Sequence, residues 1–406
     1  MKTNTFHCSS KARRGRGMSL IEILVGLAIA LIAMLIVFQV FSSSGERVRT
    51  TTSGSDAQIA GSLALYQLEH DLSMAGMGFG ALPAAGTSGG VAGCTVAAHQ
   101  SALAAPDFTF PLAPVQIIPN LTPGAPVQIA VTYGDSAYFV QSRDFTASTN
   151  SSKSLVLRDA FQLGDMVLVT NKGNSAAAGV CALVQITGNT NPDGLTVDHD
   201  AVNPPATPFP FYSASTYPAG TVTPFTMNAA AGAATFVAAT GTAYNLGPTP
   251  NRNLWQVTPA GAANPNMLVW NNTLRSDARF QVAEGIVNLQ AEYGVDDGGG
   301  AAGAAATPPA AAGDQIISPS EWTSNVPTDW SLLLAVRFAV LVRSQQYETA
   351  AVTTVAPQWG NGAHNFTMFN VDGKVDSAPG NANDWRHYRY RVYEATVPLR
   401  NMIWGK

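Results

Sequence analysis

The feature that most constrains this chain is a long apolar run close to its N-terminus. Residues 18–41 read MSLIEILVGLAIALIAMLIVFQVF, and Glu22 is the only ionisable residue among them. A helix of this length covers the ~30 Å of hydrocarbon in a bilayer. We therefore expect residues 18–41 to form a transmembrane helix.

The charges before this run predict the orientation of the helix. Five basic residues precede it, and no acidic residue occurs before Glu22. By the positive-inside rule, the N-terminus then lies in the cytoplasm and the chain after residue 41 lies across the membrane. The five basic residues are Lys2, Lys11, Arg13, Arg14 and Arg16.

Glu22 needs a partner, because a carboxylate inside a membrane helix costs at least ~2.5 kcal/mol. Cleavage between Gly17 and Met18 would create one, since the new α-amino group of Met18 would be positive and at the depth of Glu22 in a neighbouring subunit. The amine could also approach Glu22 within one helix, but that local pair does not explain the spacing. A secretory signal is cleaved after its apolar region, whereas this point precedes it, so the helix would be kept.

These residues resemble the type IV prepilin signal. Gly17 is followed by an apolar residue, Met18, and Glu22 occupies the fifth position after the cleavage point. The resemblance implies that prepilin peptidase cleaves between Gly17 and Met18 and methylates the amine of Met18, and that Glu22 guides docking into a growing fibre. The family usually has Phe where this chain has Met18. The alternative is a plain signal anchor in which this spacing arose by chance.

Segments from both ends of the chain are similar to the PilW family of large minor pilins. The stretch SLALYQLEHDLSMAGMGFG at 62–80 resembles the family segment that ends in Asp-Leu-x-Met-Ala-Gly. The segments EGIVNLQAEYGVDD, DWSLLLAVRFAVLVRS and YRVYEATVPLRN resemble its C-terminal half, while residues from about 188 to 265 match no family segment.

The resemblance implies a structural role and a set of partners. A PilW-like protein would prime pilus assembly with other major and minor pilins at the assembly platform, and so support twitching motility, adhesion or DNA uptake. It would reside in the bacterial inner membrane before assembly and in the extracellular pilus afterwards. Two alternatives stay open, a type II secretion pseudopilin and a membrane-anchored adhesin or binding protein that does not polymerise.

The expected fold class is α+β, with a long N-terminal helix packed on an antiparallel β-rich head that has long loop insertions. We expect a cleaved leader at 1–17, a transmembrane helix at 18–41, an amphipathic helix at 42–80 and the head at 81–406. Ser42, Ser43, Ser44 and Gly45 predict an interruption before helical periodicity resumes. The resumed periodicity runs through Ile59, Leu63, Tyr66 and Leu72, and we expect this apolar face to pack on the head.

Shorter periodicity predicts strands in the head. Residues 332–342 are almost uniformly apolar apart from Arg337, which places this strand centrally in a sheet. In the last segment the apolar positions change from even to odd, and a bulge near Tyr393 and Glu394 would explain the change. Residues 201–265 are rich in Ala, Thr, Pro and Gly, which favours surface insertions and short edge hairpins. The predicted strands are 127–133, 154–158, 166–170, 181–187, 281–295 and 332–342.

Three cysteines occur, and Cys8 lies in the leader. Its removal leaves Cys94 and Cys181 in an oxidising compartment, which predicts that they form a disulfide. Such a bond would stabilise the head by about 4 to 5 kcal/mol in the chain-entropy treatment. The alternative is that both are unpaired, buried, small apolar residues.

No pattern in the sequence specifies an enzyme, a cofactor or a metal site. Residues 86–90 match the nucleophile-elbow pattern, but a predicted flexible linker replaces the strand and helix that its chemistry needs. Residues 298–303 match the dinucleotide fingerprint and follow a predicted strand, but the next residues cannot open the helix that would hold a pyrophosphate. Two acidic clusters lack the ordered spacing of a calcium loop. These clusters are Asp296 with Asp297, and Asp193 with Asp198, His199 and Asp200.

The charge balance argues against nucleic acid as the main partner. The formal net charge is −4, and removal of residues 1–17 takes away five positive charges and changes it to −9. A domain this acidic repels a polyanion. Arg386, Arg389 and Arg391 could bind an anionic ligand, but arginines on an edge strand also prevent aggregation.

Overall fold

A computed structural model of the chain describes residues 19–80, 92–100, 103–105, 107–136, 142–149, 152–171, 180–188, 194–199, 241–296, 316–370 and 384–403. The chain divides into two compact units, Met1–Gly54 and Ser55–Lys406. The described part of the first unit is helical, and the second unit is rich in β-strands. The fold class is therefore α+β, as predicted.

Helix α1 covers Leu20–Ser73. It is helical through residues 42–45, so the predicted interruption is wrong. Serine lowers helix stability only slightly and one glycine costs about 1 kcal/mol, which the length of α1 offsets. The helix ends at Ser73, and residues 74–79 form turns in which Gly76 and Gly78 have positive φ. These glycines end the helix as the sequence predicted.

The described strands form three larger sheets and a two-stranded hairpin, and a short helix, α2 (Arg400–Ile403), follows the last large strand. Their pairings are antiparallel apart from β1 with β8. In chain order the strands are β1 (Thr95–His99), β2 (Asp107–Pro111), β3 (Val115–Ile118), β4 (Gln128–Tyr133), β5 (Arg143–Ser148), β6 (Ser152–Leu155), β7 (Met166–Asn171), β8 (Val180–Gln185), β9 (Thr196–Asp198), β10 (Gly241–Gly247), β11 (Asn251–Val257), β12 (Met267–Asn272), β13 (Phe280–Glu284), β14 (Ile286–Val295), β15 (Trp322–Thr323), β16 (Leu333–Arg343), β17 (Gln358–Trp359), β18 (His364–Asn365) and β19 (Tyr390–Pro398).

The largest core joins the C-terminal part of α1, which belongs to the second unit, to two sheets. The four-stranded sheet has the order β15-β14-β16-β19, and the five-stranded sheet has the order β13-β12-β11-β4-β3. Leu68 and Leu72 of α1 pack in one apolar cluster with Ile129 and Trp255 of the five-stranded sheet and Phe338 of the four-stranded sheet. The helix thus completes a core that neither sheet could close alone.

An eight-stranded sheet, ordered β2-β1-β8-β7-β10-β5-β6-β9, forms the rest of the head. Strand β9 also contacts the residues that follow β8. Gly188 forms a bridge with Asp198 of β9, and the Thr187 amide donates to the Asp198 carbonyl. Six strands of the sheet therefore ring an apolar cluster that contains Leu155, Val167 and Val184. The opposite face of the sheet carries a second cluster.

The strand predictions were correct for 128–133, 166–170 and 181–185, and wrong in three places. Strands β10 and β11 lie inside sheets, so this part of 201–265 is neither a surface insertion nor an edge hairpin. Gly285, with a positive φ, divides the predicted strand 281–295 into β13 and β14. The predicted strand at 154–158 is shifted to Ser152–Leu155.

The predicted bulge near Tyr393 and Glu394 is absent, because β19 pairs with β16 in an unbroken register. Both faces of β19 contact apolar clusters instead. Tyr390 and Val392 pack on the outer face with Trp359 and Trp385, while Tyr393, Ala395 and Val397 pack on the face that meets α1. Two cores, one on each face, explain why the apolar positions change parity along this strand.

Candidate functional site

The N-terminal part of α1 is long and apolar enough to cross a membrane. This candidate span covers Leu20–Phe41, and every residue of it is exposed. Glu22 lies in the first turn, where its amide donates to the Ser19 carbonyl at 2.9 Å. The positive end of the helix dipole favours a carboxylate at this position. The predicted cleavage residues, Gly17 and Met18, lie outside the described residues.

In the second unit, α1 has two different faces. Ala64, Leu68 and Leu72 are fully buried against the sheets. On the opposite side Ile59, Leu63 and Tyr66 have exposed fractions of 63%, 39% and 67%, so the prediction that they pack on the head is wrong. Their spacing of four and three residues places them in one stripe along the helix. We call Ile59, Leu63 and Tyr66 the outer stripe.

A glycine sets the distance between α1 and β19. A β-carbon built on Gly61 would overlap the aromatic ring of Tyr393. The Tyr393 hydroxyl also donates to the Gln58 carbonyl at 3.3 Å. The helix therefore lies directly on the last strand of the four-stranded sheet, and only glycine leaves room for the ring.

A buried carboxylate, that of Asp71, fixes the end of α1 to the five-stranded sheet. Its Oδ1 accepts hydrogen bonds from the Tyr133 hydroxyl at 2.8 Å and from Asn253 Nδ2 at 2.9 Å, and its Oδ2 accepts one from Trp255 Nε1 at 2.6 Å. Burial raises the pKa of Asp71 despite these donors. This role of Asp71 was not predicted from the sequence.

A signal for Asp71 was present in the sequence. Asp71 follows Ala64 by seven residues and Leu68 by three, so helical spacing places it on the buried face. An acidic residue on an apolar stripe predicts a buried carboxylate with its own hydrogen-bond donors. What the sequence does not contain is the identity of those donors, because they come from β4 and β11, far along the chain.

The two ends of the chain that resemble one family meet in space. Asn401 Nδ2 donates to the carbonyls of Met74 and Ala75 at 3.2 and 3.1 Å. The same turn is covered by Met402, whose sulfur would lie 3.0 Å from a β-carbon on Gly76. The turn that ends α1 and the short helix α2 therefore form one packed unit.

The head contains the predicted disulfide. Cys94 and Cys181 are bonded, are separated by 87 residues, and lie buried in the cluster on one face of the eight-stranded sheet. The bond joins the start of β1 to β8, the two strands that pair in parallel.

Arg337, which interrupts the apolar strand β16, is buried in an ion pair. Its Nε donates to Glu292 Oε2 at 2.6 Å, and its guanidinium lies 4.7 Å from the ring of Trp322. The other oxygen of Glu292 lies 3.0 Å from His364 Nε2, and Trp359 contacts the His364 ring. This network fastens the β17–β18 hairpin to the outer face of the four-stranded sheet. The central position predicted for β16 is correct.

The motifs and acidic clusters that could suggest other chemistry lie mostly outside the described residues. Within the described ranges no group of three His, Cys, Asp or Glu side chains could hold a metal ion. Asp297, Asp193 and Asp200 of the two acidic clusters lie outside those ranges, as do the motifs at 86–90 and 298–303.

Of the three arginines near the C-terminus, two are paired with acidic side chains. Arg386 pairs with Asp384 at 2.9 Å and Arg389 pairs with Glu348. Only Arg391 lies within β19, where it is exposed. Two of the three positive charges are thus already matched within the head.

Comparison with known proteins finds a family that is similar to the C-terminal part of the chain. No curated protein and no solved structure matches the chain. A family model described as Type IV Pilus-assembly protein W, PilW, matches residues 249–401. This range contains β11 to β19, among them β11, which binds Asp71, and β19, which packs on α1, and it supports a part in type IV pilus assembly. Over residues 249–401 the chain is similar to PilW, as the three C-terminal segments predicted, while the resemblance at 62–80 stays a prediction.

Proposed function

We propose that this protein is a minor pilin that enters a type IV pilus through α1. The outer stripe is the observation that carries the proposal. An amphipathic helix in a soluble domain buries its apolar residues, yet Ile59, Leu63 and Tyr66 remain exposed after α1 has packed on the head. Helices of neighbouring subunits would cover this stripe in the fibre.

The N-terminal half of α1 would supply the rest of the contact. Before assembly, Leu20–Phe41 anchors the chain in the inner membrane with its N-terminus in the cytoplasm. Prepilin peptidase cleaves between Gly17 and Met18 and methylates the new amine. Glu22 then pairs with the amine of a neighbouring subunit, which offsets the cost of a carboxylate in lipid. After assembly the head lies in the extracellular pilus.

The size of the head favours a minor subunit over the major one. The second unit extends from Ser55 to Lys406, and a body of this size would crowd every position of a tight helical array. Near the tip it has room. There it would prime assembly together with other pilins, and so contribute to twitching motility, adhesion or DNA uptake.

The proposal is tested by replacing Glu22 with Ala in the full chain. We expect loss of the variant from sheared filaments and fewer filaments per cell, because the docking contact is missing. The matched control is Glu69→Ala, which removes an exposed acid from the same helix within the head. It should enter filaments normally.

The N-terminal mass of the filament protein provides the second readout. A chain that begins at methylated Met18 agrees with the proposal. Filaments that contain the Glu22→Ala variant at the wild-type level, or that hold a chain beginning at Met1, would contradict it.

A further inference from the structure

Strand β19 is an edge strand of unusual length for this molecule. It has nine residues and forms one edge of the four-stranded sheet. The other edge strands of the three larger sheets have only two to five residues, namely β15, β9, β3, β2 and β13. Proteins keep edge strands short because open backbone groups pair with other chains. A long open edge therefore marks an interaction surface.

The pairing with β16 shows which backbone groups point away from the sheet. Next to the strand, the Ser344 amide donates to the Arg389 carbonyl, and at the far end the Leu399 amide donates to the Leu334 carbonyl. Because hydrogen-bonded pairs alternate in an antiparallel ladder, odd residues of β19 bond inward and even residues point outward. The outward residues are Tyr390, Val392, Glu394, Thr396 and Pro398.

Within the described part of the chain, the outward backbone groups of Tyr390, Val392, Glu394 and Thr396 have no backbone partner. Of the devices that usually block an edge, this stretch has only charged side chains, those of Arg391 and Glu394. The strand has no bulge and no lysine, and its proline, Pro398, lies at the very end. The edge therefore presents a straight ladder about four outward residues long.

We propose that an extended strand of a neighbouring pilus subunit pairs with this edge and continues the four-stranded sheet. The proposal rests on the proposed function, because it requires the chain to assemble with other pilins. The incoming strand would place apolar side chains beside Tyr393 and Ala395, which are half-buried, and an acidic one beside the exposed Arg391. Main-chain hydrogen bonds would give affinity, and these side chains would give register.

A second copy of this chain fits the edge less well. Two copies related by a two-fold axis would pair β19 with itself in antiparallel fashion, and outward even residues would then face even residues. Arg391 has an odd number and Glu394 an even number, so this pairing could not place them opposite each other. Self-pairing leaves both charges without a direct counter-charge, whereas a different strand can supply one.

The experiment compares amide hydrogen exchange in the full chain in detergent and in intact filaments. We expect exchange at Val392, Glu394 and Thr396 to slow by at least about 100-fold in filaments, because their amides become hydrogen-bonded. Tyr393 and Ala395 are the internal controls, since their amides already bond to β16 and should be protected in both states.

A pair of variants at one position adds a functional readout. Thr396→Pro removes one outward N–H and leaves the inward ladder intact. We expect it to keep the thermal stability of the wild type but to be depleted from filaments by about 10-fold, a loss that corresponds to roughly one hydrogen bond. Thr396→Ala keeps the N–H and should enter filaments normally.

The outcomes separate this inference from the proposed function. A chain that enters filaments while its even-residue amides exchange as fast as in detergent overturns the strand pairing and leaves the pilin role intact. Absence of the wild-type chain from filaments overturns both. Cross-links from a Thr396→Cys variant that join two copies of this chain overturn the choice of partner.

Discussion

At the scale of single residues, Asp71 is the strongest link between α1 and the five-stranded sheet. Three donors from β4 and β11 converge on its two oxygens, and its side chain is buried among them. Hydrogen bonds to a charged acceptor contribute about 1.5–3 kcal/mol each, whereas a buried donor left unpaired carries a penalty of similar size. Removal of the carboxylate should therefore be costly.

We predict that Asp71→Ala destabilises the head by about 3 kcal/mol or more, because it leaves the Trp255, Tyr133 and Asn253 donors unpaired. Asp71→Asn keeps the shape and one acceptor, so its effect should be smaller. Urea unfolding of the detergent-solubilised full chain measures both. Equal stability of wild type and Asp71→Ala would show that water replaces the carboxylate at no cost.

The same residue gives a pH dependence of defined sign. Burial raises the pKa of Asp71 above its ordinary value of 3.8. An acid with a raised pKa in the folded state contributes stability that is complete below pH 3.8 and is lost as pH rises through the folded pKa. Relative to Asp71→Asn, the wild type should thus gain stability as pH is lowered from 7 towards 4. A difference that is flat over this range would contradict the prediction.

At the scale of elements, the contact between α1 and β19 depends on the absence of one side chain. Any β-carbon at Gly61 would overlap the ring of Tyr393, whose hydroxyl also donates a hydrogen bond to the Gln58 carbonyl. Tyr393 belongs to the core that the helix and the two sheets share. A methyl group at this position should push the helix away from the sheet.

We predict that Gly61→Ala destabilises the head by about 1–3 kcal/mol, the usual cost of overpacking. Combination with Tyr393→Ala should recover part of the loss, since the two residues are in contact and their effects are not additive. Gly54→Ala is the matched control on the same helix, because nothing lies within 4 Å of a β-carbon there. The control should be neutral or stabilising by up to about 1 kcal/mol. Equal effects at Gly61 and Gly54 would rule out the steric explanation.

Elements in which the apolar residues follow one regular spacing were predictable from the sequence. A strand such as β19, which contacts a different apolar cluster on each face, was not. The transmembrane run and strands such as Met166–Asn171 follow directly from apolar spacing. The buried face of α1 does not, because the helix has apolar residues on two sides and the predicted stripe through Ile59, Leu63 and Tyr66 is the exposed one. In β19 the apolar residues change from even to odd positions. A bulge and a second apolar cluster on the other face both produce this pattern, so the sequence does not distinguish between them. The second cluster is formed by Trp359, Phe366 and Trp385, which come from segments with no visible periodicity.

At the scale of the whole molecule, the sequence indicates the family resemblance and the cysteine pair, but it does not indicate how the strands of the head are divided among the three larger sheets. The family match begins at residue 249, so it leaves out the whole eight-stranded sheet, whose last strand along the chain ends at Gly247. Strand β10 lies in the middle of that sheet, although it follows a stretch rich in Ala, Thr and Pro. Its burial depends on pairing with β7 and β5, which precede it by many residues. Non-local pairing of this kind leaves little local signal.

The disulfide has its effect at this same scale, because it closes the chain around most of the eight-stranded sheet. Between Cys94 and Cys181 lie β1 to β7 and the start of β8. We predict that the double variant Cys94→Ala with Cys181→Ala lowers the free energy of unfolding by about 4 to 5 kcal/mol, mainly by freeing the unfolded chain. Urea unfolding of the full chain with and without reductant measures this. Reductant should destabilise the wild type and leave the double variant unchanged, since the described cysteines are then absent. A loss confined to the variant, with the wild type indifferent to complete reduction, would assign the effect to cavities left in the apolar cluster and not to the cross-link.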